Sequence, residues 1–153
     1  MDEVDIKILM LLRQNGRESL GNIALKLGVS KATVSRRVSR LEDDHIISGY
    51  TLTTDSSRLG LMKAILGIEV AGPSLNPVID ALRGFREIQY IYKVFGDHGL
   101  ICEVYVKSVD SLYELIQTKI LKIPSIENVQ VDILIERIEL NPDAELDMLT
   151  VRH

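Results

Sequence analysis

Apolar residues recur at helical spacing in three short segments near the start of the chain. The middle segment shows this most clearly, with apolar residues at i, i+3, i+4 and i+7: Leu20, Ile23, Ala24 and Leu27. Acidic residues open the first segment, at the end that a helix dipole favours for negative charge. Ser19 and Ser30 precede the second and third segments as N-caps. The pattern therefore predicts three helices that end near Gly16, Gly28 and Asp44.

A different periodicity follows in the second half of the chain. Apolar and polar side chains alternate in four stretches, which predicts strands, and two stretches between them have helical spacing. The predicted elements are a strand at 66–70, a helix at 75–84, strands at 89–95 and 100–107, a helix at 109–121 and a strand at 129–135. Gly72-Pro73-Ser74 ends the first strand, and Pro124 ends the second helix. This β-α-β-β-α-β order is that of the split ferredoxin-like unit.

The two periodicities predict an α+β protein of two domains. Residues 1–50 would form a helix-turn-helix domain of winged-helix-like type, and residues 51–61, rich in Thr, Ser and Asp, a linker. Residues 62–138 would form a ferredoxin-like βαββαβ domain, and residues 139–153 a C-terminal tail.

Composition favours a soluble cytoplasmic protein. Apolar residues make up 46% of the chain and charged residues 26%, a balance typical of globular proteins. No apolar run reaches the roughly 20 residues that span a membrane, and the opening Met1-Asp2-Glu3 is unlike a secretion signal. The single cysteine, Cys102, cannot form an internal disulfide, which fits a reducing compartment.

The charge is distributed unevenly. The net charge of −4 would argue against nucleic acid as a partner. However, residues 1–50 carry eight Lys and Arg against seven Asp and Glu, whereas the remainder carries ten against fifteen. Four of the cations fall within ten residues that contain no acid: Lys31, Arg36, Arg37 and Arg40. Because phosphate binding depends on local charge, this cluster indicates double-stranded DNA as a partner.

The third predicted helix is the candidate DNA-binding element. Val34, Val38 and Leu41 form its inward stripe, so at ~100° per residue the opposite face carries small, hydroxylated and basic side chains. Arg36 and Arg40 are the candidates for base or phosphate contact. Lys31, Thr33 and Arg37 would position the helix, and Ser30 would cap it. The alternative is an ordinary solvated helix face.

Several segments resemble the Lrp/AsnC family of leucine-responsive-type regulators, also called feast/famine proteins. Residues 2–9 (DEVDIKIL) are similar to the family's opening, and residues 15–19 (NGRES) to its first turn. Residues 30–42 are similar to its recognition helix, and residues 46–50 (IISGY) to the strand that follows it. Residues 94–96 (VFG) lead into the turn of its effector-binding domain. The resemblance covers residues 1 to about 138.

The resemblance implies a regulator of transcription. Members form dimers through their ferredoxin-like sheets, often assemble into tetramers or octamers, and bind amino acids or related small molecules between those domains. Two positions depart from the family pattern. His45 stands where a glycine usually follows the third helix, so the local turn is expected to differ. Gly99 stands where the effector turn usually has Asp, which puts the nature of the effector in question.

The turn formed by Gly96, Asp97, His98 and Gly99 is the candidate effector contact. Its backbone N–H groups could bind a carboxylate, although a plain hairpin turn needs no ligand. The neighbouring rings of Tyr90, Tyr92, Phe95 and Tyr105 are expected in the core or at a dimer interface.

Nothing in the sequence indicates catalysis. We find no phosphate-binding glycine loop, no metal-spaced His and Cys set and no nucleophile elbow, so we expect no catalytic residues, no metal and no cofactor beyond an amino-acid effector. Two alternatives stay open: a ligand-binding or assembly protein without DNA-binding activity, and a small ferredoxin-like enzyme.

Overall fold

The computed structural model describes residues 1–73 and 75–151. Ser74, the last residue of the predicted turn at 72–74, lies outside the described residues, as do Arg152 and His153 at the end of the predicted tail. The chain divides into two compact units, one formed by residues 1–53 together with the segment from 138 onward, and the other by residues 54–137. The finer domain bounds predicted from sequence stay predictions.

Three helices form at the start of the chain, as predicted: α1 (Glu3–Gln14), α2 (Leu20–Leu27) and α3 (Lys31–Asp43). Asp2, Ser19 and Ser30 cap them by accepting hydrogen bonds from backbone N–H groups three residues on. Their apolar stripes meet in one core cluster of buried residues: Ile8, Ile23, Ala24, Val34, Val38 and Leu41. This core fixes the face that each helix turns outward.

The turn after α3 keeps the left-handed backbone despite its histidine. His45 has φ +57°, and its N–H donates to Glu42 O over 3.0 Å while the N–H of Ile46 donates to Leu41 O over 2.9 Å. These two bonds are those of a Schellman motif. The expectation that the turn would differ because glycine is missing is therefore wrong.

Residues 46–50 do not form the strand that the family resemblance implied. They follow the turn without regular secondary structure. A strand needs a hydrogen-bonded partner, and none pairs with this segment within the described chain. The wing of a winged-helix arrangement is thus missing from the described part of this single chain.

A four-stranded antiparallel sheet lies at the centre of the second unit. Its strands are β1 (Met62–Val70), β2 (Ile88–Lys93), β3 (Leu100–Val106) and β4 (Ile126–Ile133), in the order β2-β3-β1-β4. The register places Leu66 beside Cys102 on one side and Val131 on the other. The predicted β-α-β-β-α-β order of elements along the chain is confirmed, and β1 begins four residues earlier than predicted.

One face of the sheet carries the core of this unit. It packs against α4 (Asn76–Leu82) and α5 (Val109–Glu114), and β3 alternates buried and half-buried side chains along its length. The predicted second helix continues past α5 as a π-helical turn, Leu115–Lys119, and a 3-10 turn, Ile120–Lys122. The result is the ferredoxin-like α+β arrangement predicted from sequence.

The segment after β4 returns to the helical unit. It contains a short helix, α6 (Ala144–Asp147), where the sequence predicted only a tail. Leu146 is 4% exposed, and Arg13 of α1 donates hydrogen bonds to Glu145 Oε1 over 2.7 Å and to Pro142 O over 3.5 Å. Residues 138–151 are therefore a structural part of the first unit.

Candidate nucleic-acid interface and effector cleft

The junction between α2 and α3 has the geometry of a helix-turn-helix. Gly28 ends α2 in the left-handed region at φ +67°, a conformation that glycine adopts without steric cost. Ser30 then caps α3: its Oγ accepts from the N–H of Thr33 over 3.1 Å and lies 2.8 Å from Thr33 Oγ1. The predicted capping role of Ser30 is confirmed, and Thr33 contributes to the same cap.

The outward face of α3 displays cations. Lys31 and Arg36 are exposed, and their side chains form no hydrogen bond or ion pair with any residue that the structure describes. Arg40 has a side chain that is 64% exposed and makes one distant contact, 3.9 Å from Nη2 to Asp5 Oδ2. These three side chains are free to meet an anionic partner.

Arg37 is placed differently from the other three cations. Its side chain is 21% exposed, and its Nη1 donates to both carboxylate oxygens of Asp2, each over 2.7 Å, and to Asp5 Oδ1 over 3.1 Å. Sequence reasoning counted Arg37 among the DNA-binding residues, as one that positions the helix. The structure instead directs its guanidinium to the start of α1.

The acidic partners of Arg37 form a capping box. The N–H of Asp5 donates to Asp2 Oδ1 over 3.0 Å, and the N–H of Asp2 donates to Asp5 Oδ2 over 3.1 Å. Asp5 is only 2% exposed. The hydrogen bond from Arg37, helped by the N–H of Asp5, lowers the pKa of Asp2 from 3.8 to about 2. Sequence reasoning placed these acidic residues at the start of α1 but missed their pairing with Arg37 and the capping box, although the Asp-x-x-Asp spacing was visible in the sequence.

The predicted effector turn lines a cleft of about 430 Å³ in the second unit. Gly96, Asp97, His98 and Gly99 all border it. Backbone hydrogen bonds hold both ends of the turn. Val94 N–H donates to Gly99 O, and Gly99 N–H donates to Ile68 O of β1, both over 3.2 Å. Glu69 and Glu127, which sequence reasoning did not select, also line the cleft.

His98 is partly buried, with its ring next to Gly67 of β1. A Cβ atom added to Gly67 would lie 2.7 Å from His98 Cδ2 and 2.9 Å from Nε2, so only glycine leaves room for the ring. The Nδ1 atom of His98 is buried and has no hydrogen-bond partner in the described structure. A glycine inside a strand often marks such a close approach, and this signal was present in the sequence.

The other face of the sheet is left open in the single chain. Tyr90 and Tyr92 of β2 are half exposed and stack obliquely, with ring centroids 6.3 Å apart. On the neighbouring strands Lys63 pairs with Glu103 over 3.2 Å and lies 5.9 Å from the Tyr105 ring centroid. None of these rings belongs to the core of this chain, and Phe95 is fully exposed in the turn region.

The described residues offer little for other chemistries. Cys102 is buried in the core, where burial raises the pKa of its thiol to about 11, so it is a poor nucleophile near neutral pH. No group of three or more His, Cys, Asp or Glu within 1–73 and 75–151 is placed to hold a metal ion. Within the same ranges no helix has the length and apolarity to cross a membrane.

Family comparisons match both units of the chain. The AsnC-type helix-turn-helix domain matches residues 1–42, and the Lrp/AsnC ligand binding domain matches residues 63–143. The HTH-type transcriptional regulator LrpA of Pyrococcus horikoshii is 31% identical over 140 residues, which are 91% of this chain and 99% of that protein.

Solved structures match the whole architecture. A feast or famine regulatory protein from M. tuberculosis, complexed with L-methionine, is 25% identical and has a TM-score of 0.81, covering 92% of this chain and 95% of that one. A transcriptional regulator from Neisseria meningitidis in complex with L-Met has a TM-score of 0.89 over 98% of this chain and 99% of that one. At 18% identity, this second likeness shows the fold alone.

Proposed function

The chain belongs to the Lrp/AsnC family of DNA-binding transcriptional regulators, and from this premise we propose which of its surfaces bind DNA, an effector and a second copy. The proposal for DNA is supported above all by the outward face of α3. Arg36 and Arg40 project there, with the exposed Lys31 at the flank, and all three lack strong intramolecular partners, while the valine and leucine stripe behind them is buried.

On this proposal α3 enters the major groove of double-stranded DNA. Arg36 and Arg40 contact guanine edges or phosphates, because a guanidinium can reach either. Lys31 contacts a phosphate close to the capped N-terminus of α3, where the helix dipole also favours an anion. Thr33 shapes that end of the helix through its hydrogen bond with Ser30.

The test is the affinity of the Arg36→Ala variant for an operator fragment, measured by titration at several salt concentrations. We expect a loss of about 1–3 kcal/mol if Arg36 reads a base, or a salt slope lower by roughly one if it contacts a phosphate. Arg83→Ala is the matched control, since Arg83 is exposed on the other unit and should leave binding unchanged. Unaltered affinity and slope in Arg36→Ala would exclude the contact.

We propose an amino acid or a related small molecule as the effector, bound at the cleft around Gly96–Gly99. Three backbone N–H groups of this turn, those of Gly96, Asp97 and His98, have no acceptor in the described part of the chain and can receive a carboxylate. The M. tuberculosis relative of the same fold is known with L-methionine. Calorimetric titration with each proteinogenic amino acid tests this assignment, and absence of heat with all of them removes it.

We further propose that the regulator is a cytoplasmic homodimer that assembles into tetramers or octamers and has no enzymatic activity. The open face of the sheet, with its tyrosines, supplies a surface for the dimer. If the wild-type chain bound no DNA of any sequence, the alternative of a ligand-binding or assembly protein without DNA-binding activity would replace the regulator.

A further inference from the structure

We propose that Arg37 is a positioning residue, which acts through Asp2 and Asp5 to fix the location of α3 against α1. The inference rests on the proposed function, because it concerns how the DNA-binding helix is held. Sequence reasoning counted this arginine among the DNA-binding residues that position α3 on DNA, and the inference replaces that role with positioning α3 within the protein.

All hydrogen bonds between Arg37 and the two aspartates come from one nitrogen atom of its guanidinium. Arg37 Nη1 donates to two oxygens of Asp2 and one of Asp5. Asp2 lies 35 positions before Arg37 in the chain, and Asp5 lies 32 positions before it. The contact therefore joins the start of α1 to the middle of α3. Charge-assisted hydrogen bonds of this kind are roughly twice as strong as neutral ones.

The carboxylates that accept from Arg37 are also held by hydrogen bonds that do not involve Arg37. Asp2 and Asp5 exchange backbone-to-side-chain hydrogen bonds across the first turn of α1, and Asp5 is almost fully buried. An exposed ion pair gains little because two mobile side chains must be ordered. Here the carboxylates are already ordered by the capping box, so the bond from Arg37 restrains the helix that carries it.

The location of Arg37 on α3 suits this role. Arg37 is three residues from Val34, which places it about 60° from the centre of the buried stripe, whereas Arg36 points roughly 160° away from it. The guanidinium therefore faces α1 while Arg36 faces outward. A binding site needs its contacting residues held to roughly 0.5 Å by a supporting layer, and for Arg36 and Arg40 this arginine supplies that support.

Two variants in the full chain, Arg37→Ala and Asp5→Asn, test the proposal through DNA affinity at several salt concentrations. Arg37→Ala should weaken binding by about tenfold and Asp5→Asn by less, because the bonds from Arg37 to Asp2 remain in the second variant. The double variant should be no worse than Arg37→Ala alone, because the contact that Asp5→Asn alters is already lost there. The slope of affinity against salt should stay that of the wild type, because no phosphate contact is removed. Asp2→Asn, at a more exposed position, serves if Asp5→Asn does not fold.

Each other outcome overturns the role. If Arg37→Ala lowers the salt slope by about one while Asp5→Asn does not weaken binding, Arg37 contacts DNA directly. If both variants melt at lower temperature but bind DNA as tightly as the wild type when folded, Arg37 serves stability alone.

Hydrogen exchange separates this inference from the proposed function. The amides of α3 should exchange faster in both variants without any DNA present, because the helix is held less firmly. Unchanged exchange would refute the positioning role even if the chain binds DNA. Faster exchange in a chain that binds no DNA would refute the proposed function and leave the positioning role standing.

Discussion

At the residue scale, the most informative position is His45, because a strained conformation is kept there without the residue that relieves it. The Schellman hydrogen bonds from His45 and Ile46 end α3 and direct the chain away from it. A left-handed backbone costs a side chain with a Cβ roughly 1–2 kcal/mol. The hydrogen bonds and the burial of the α3 stripe therefore outweigh the preference of the single residue.

We expect His45→Gly to raise the free energy of unfolding by about 0.5–1 kcal/mol, since glycine adopts this conformation without the steric cost but loses more entropy on folding. Gly28 holds the same conformation at the end of α2, so Gly28→Ala should lower stability by a similar amount and is the opposite control. Chemical denaturation measures both. A less stable His45→Gly variant would show that the imidazole makes a favourable contact of its own.

At the element scale, the effector turn is attached to β1 through one ring. His98 covers Gly67, so the conformation of the turn depends on a glycine about thirty residues earlier in the chain. Any side chain at that point in β1 would push the ring off the sheet. The strand thus controls the shape of the cleft as well as forming the core.

Gly67→Ala should destabilise the protein by about 1–3 kcal/mol, because its methyl group would overlap the His98 ring. In a His98→Ala background the same substitution should cost little or even stabilise β1, since the obstructing ring is gone. Thermal unfolding of the four proteins forms a double-mutant cycle. Equal costs in both backgrounds would show that overlap with the His98 ring is not the source of the cost.

The elements predicted correctly from sequence are those in which the regular spacing of apolar residues extends over enough positions to be recognised. Helices α1 to α3 and the β-α-β-β-α-β order of elements are confirmed because burial of one face sets both the pattern and the fold. Helix α6 was missed because it has only four residues and its stability comes from packing of Leu146 and the bonds of Arg13, which no local pattern shows. The partners of Arg37 were missed for the same reason: periodicity places it at the edge of the buried stripe but cannot reveal which distant carboxylates reach that edge.

At the scale of the whole molecule, the sheet has one face covered by helices and one face bare. The bare face mixes half-exposed tyrosines with an ion pair between Lys63 and Glu103. Aromatic residues are enriched in subunit interfaces, and an isologous contact would cover this face in both copies at once.

If the proposed dimer forms through this face, Tyr92→Asp should shift it toward monomer, because the substitution would place carboxylates in an apolar contact without partners. Tyr113→Asp is the control: Tyr113 lies on α5, on the covered side of the sheet, and is 66% exposed. Sedimentation velocity distinguishes the two states. A Tyr92→Asp variant that sediments like the wild type would place the interface elsewhere.

The return of residues 138–151 to α1 has a consequence for how the protein is made. A ribosome delivers the first three helices early, but α6 and the acceptors of Arg13 emerge only after the whole second unit has been synthesised. The first unit therefore cannot be complete until the last segment of the chain has been synthesised. Translation that stops before residue 138 would release the three N-terminal helices without α6 and the contacts of Arg13. Premature termination would therefore affect the N-terminal unit as well as the end of the chain.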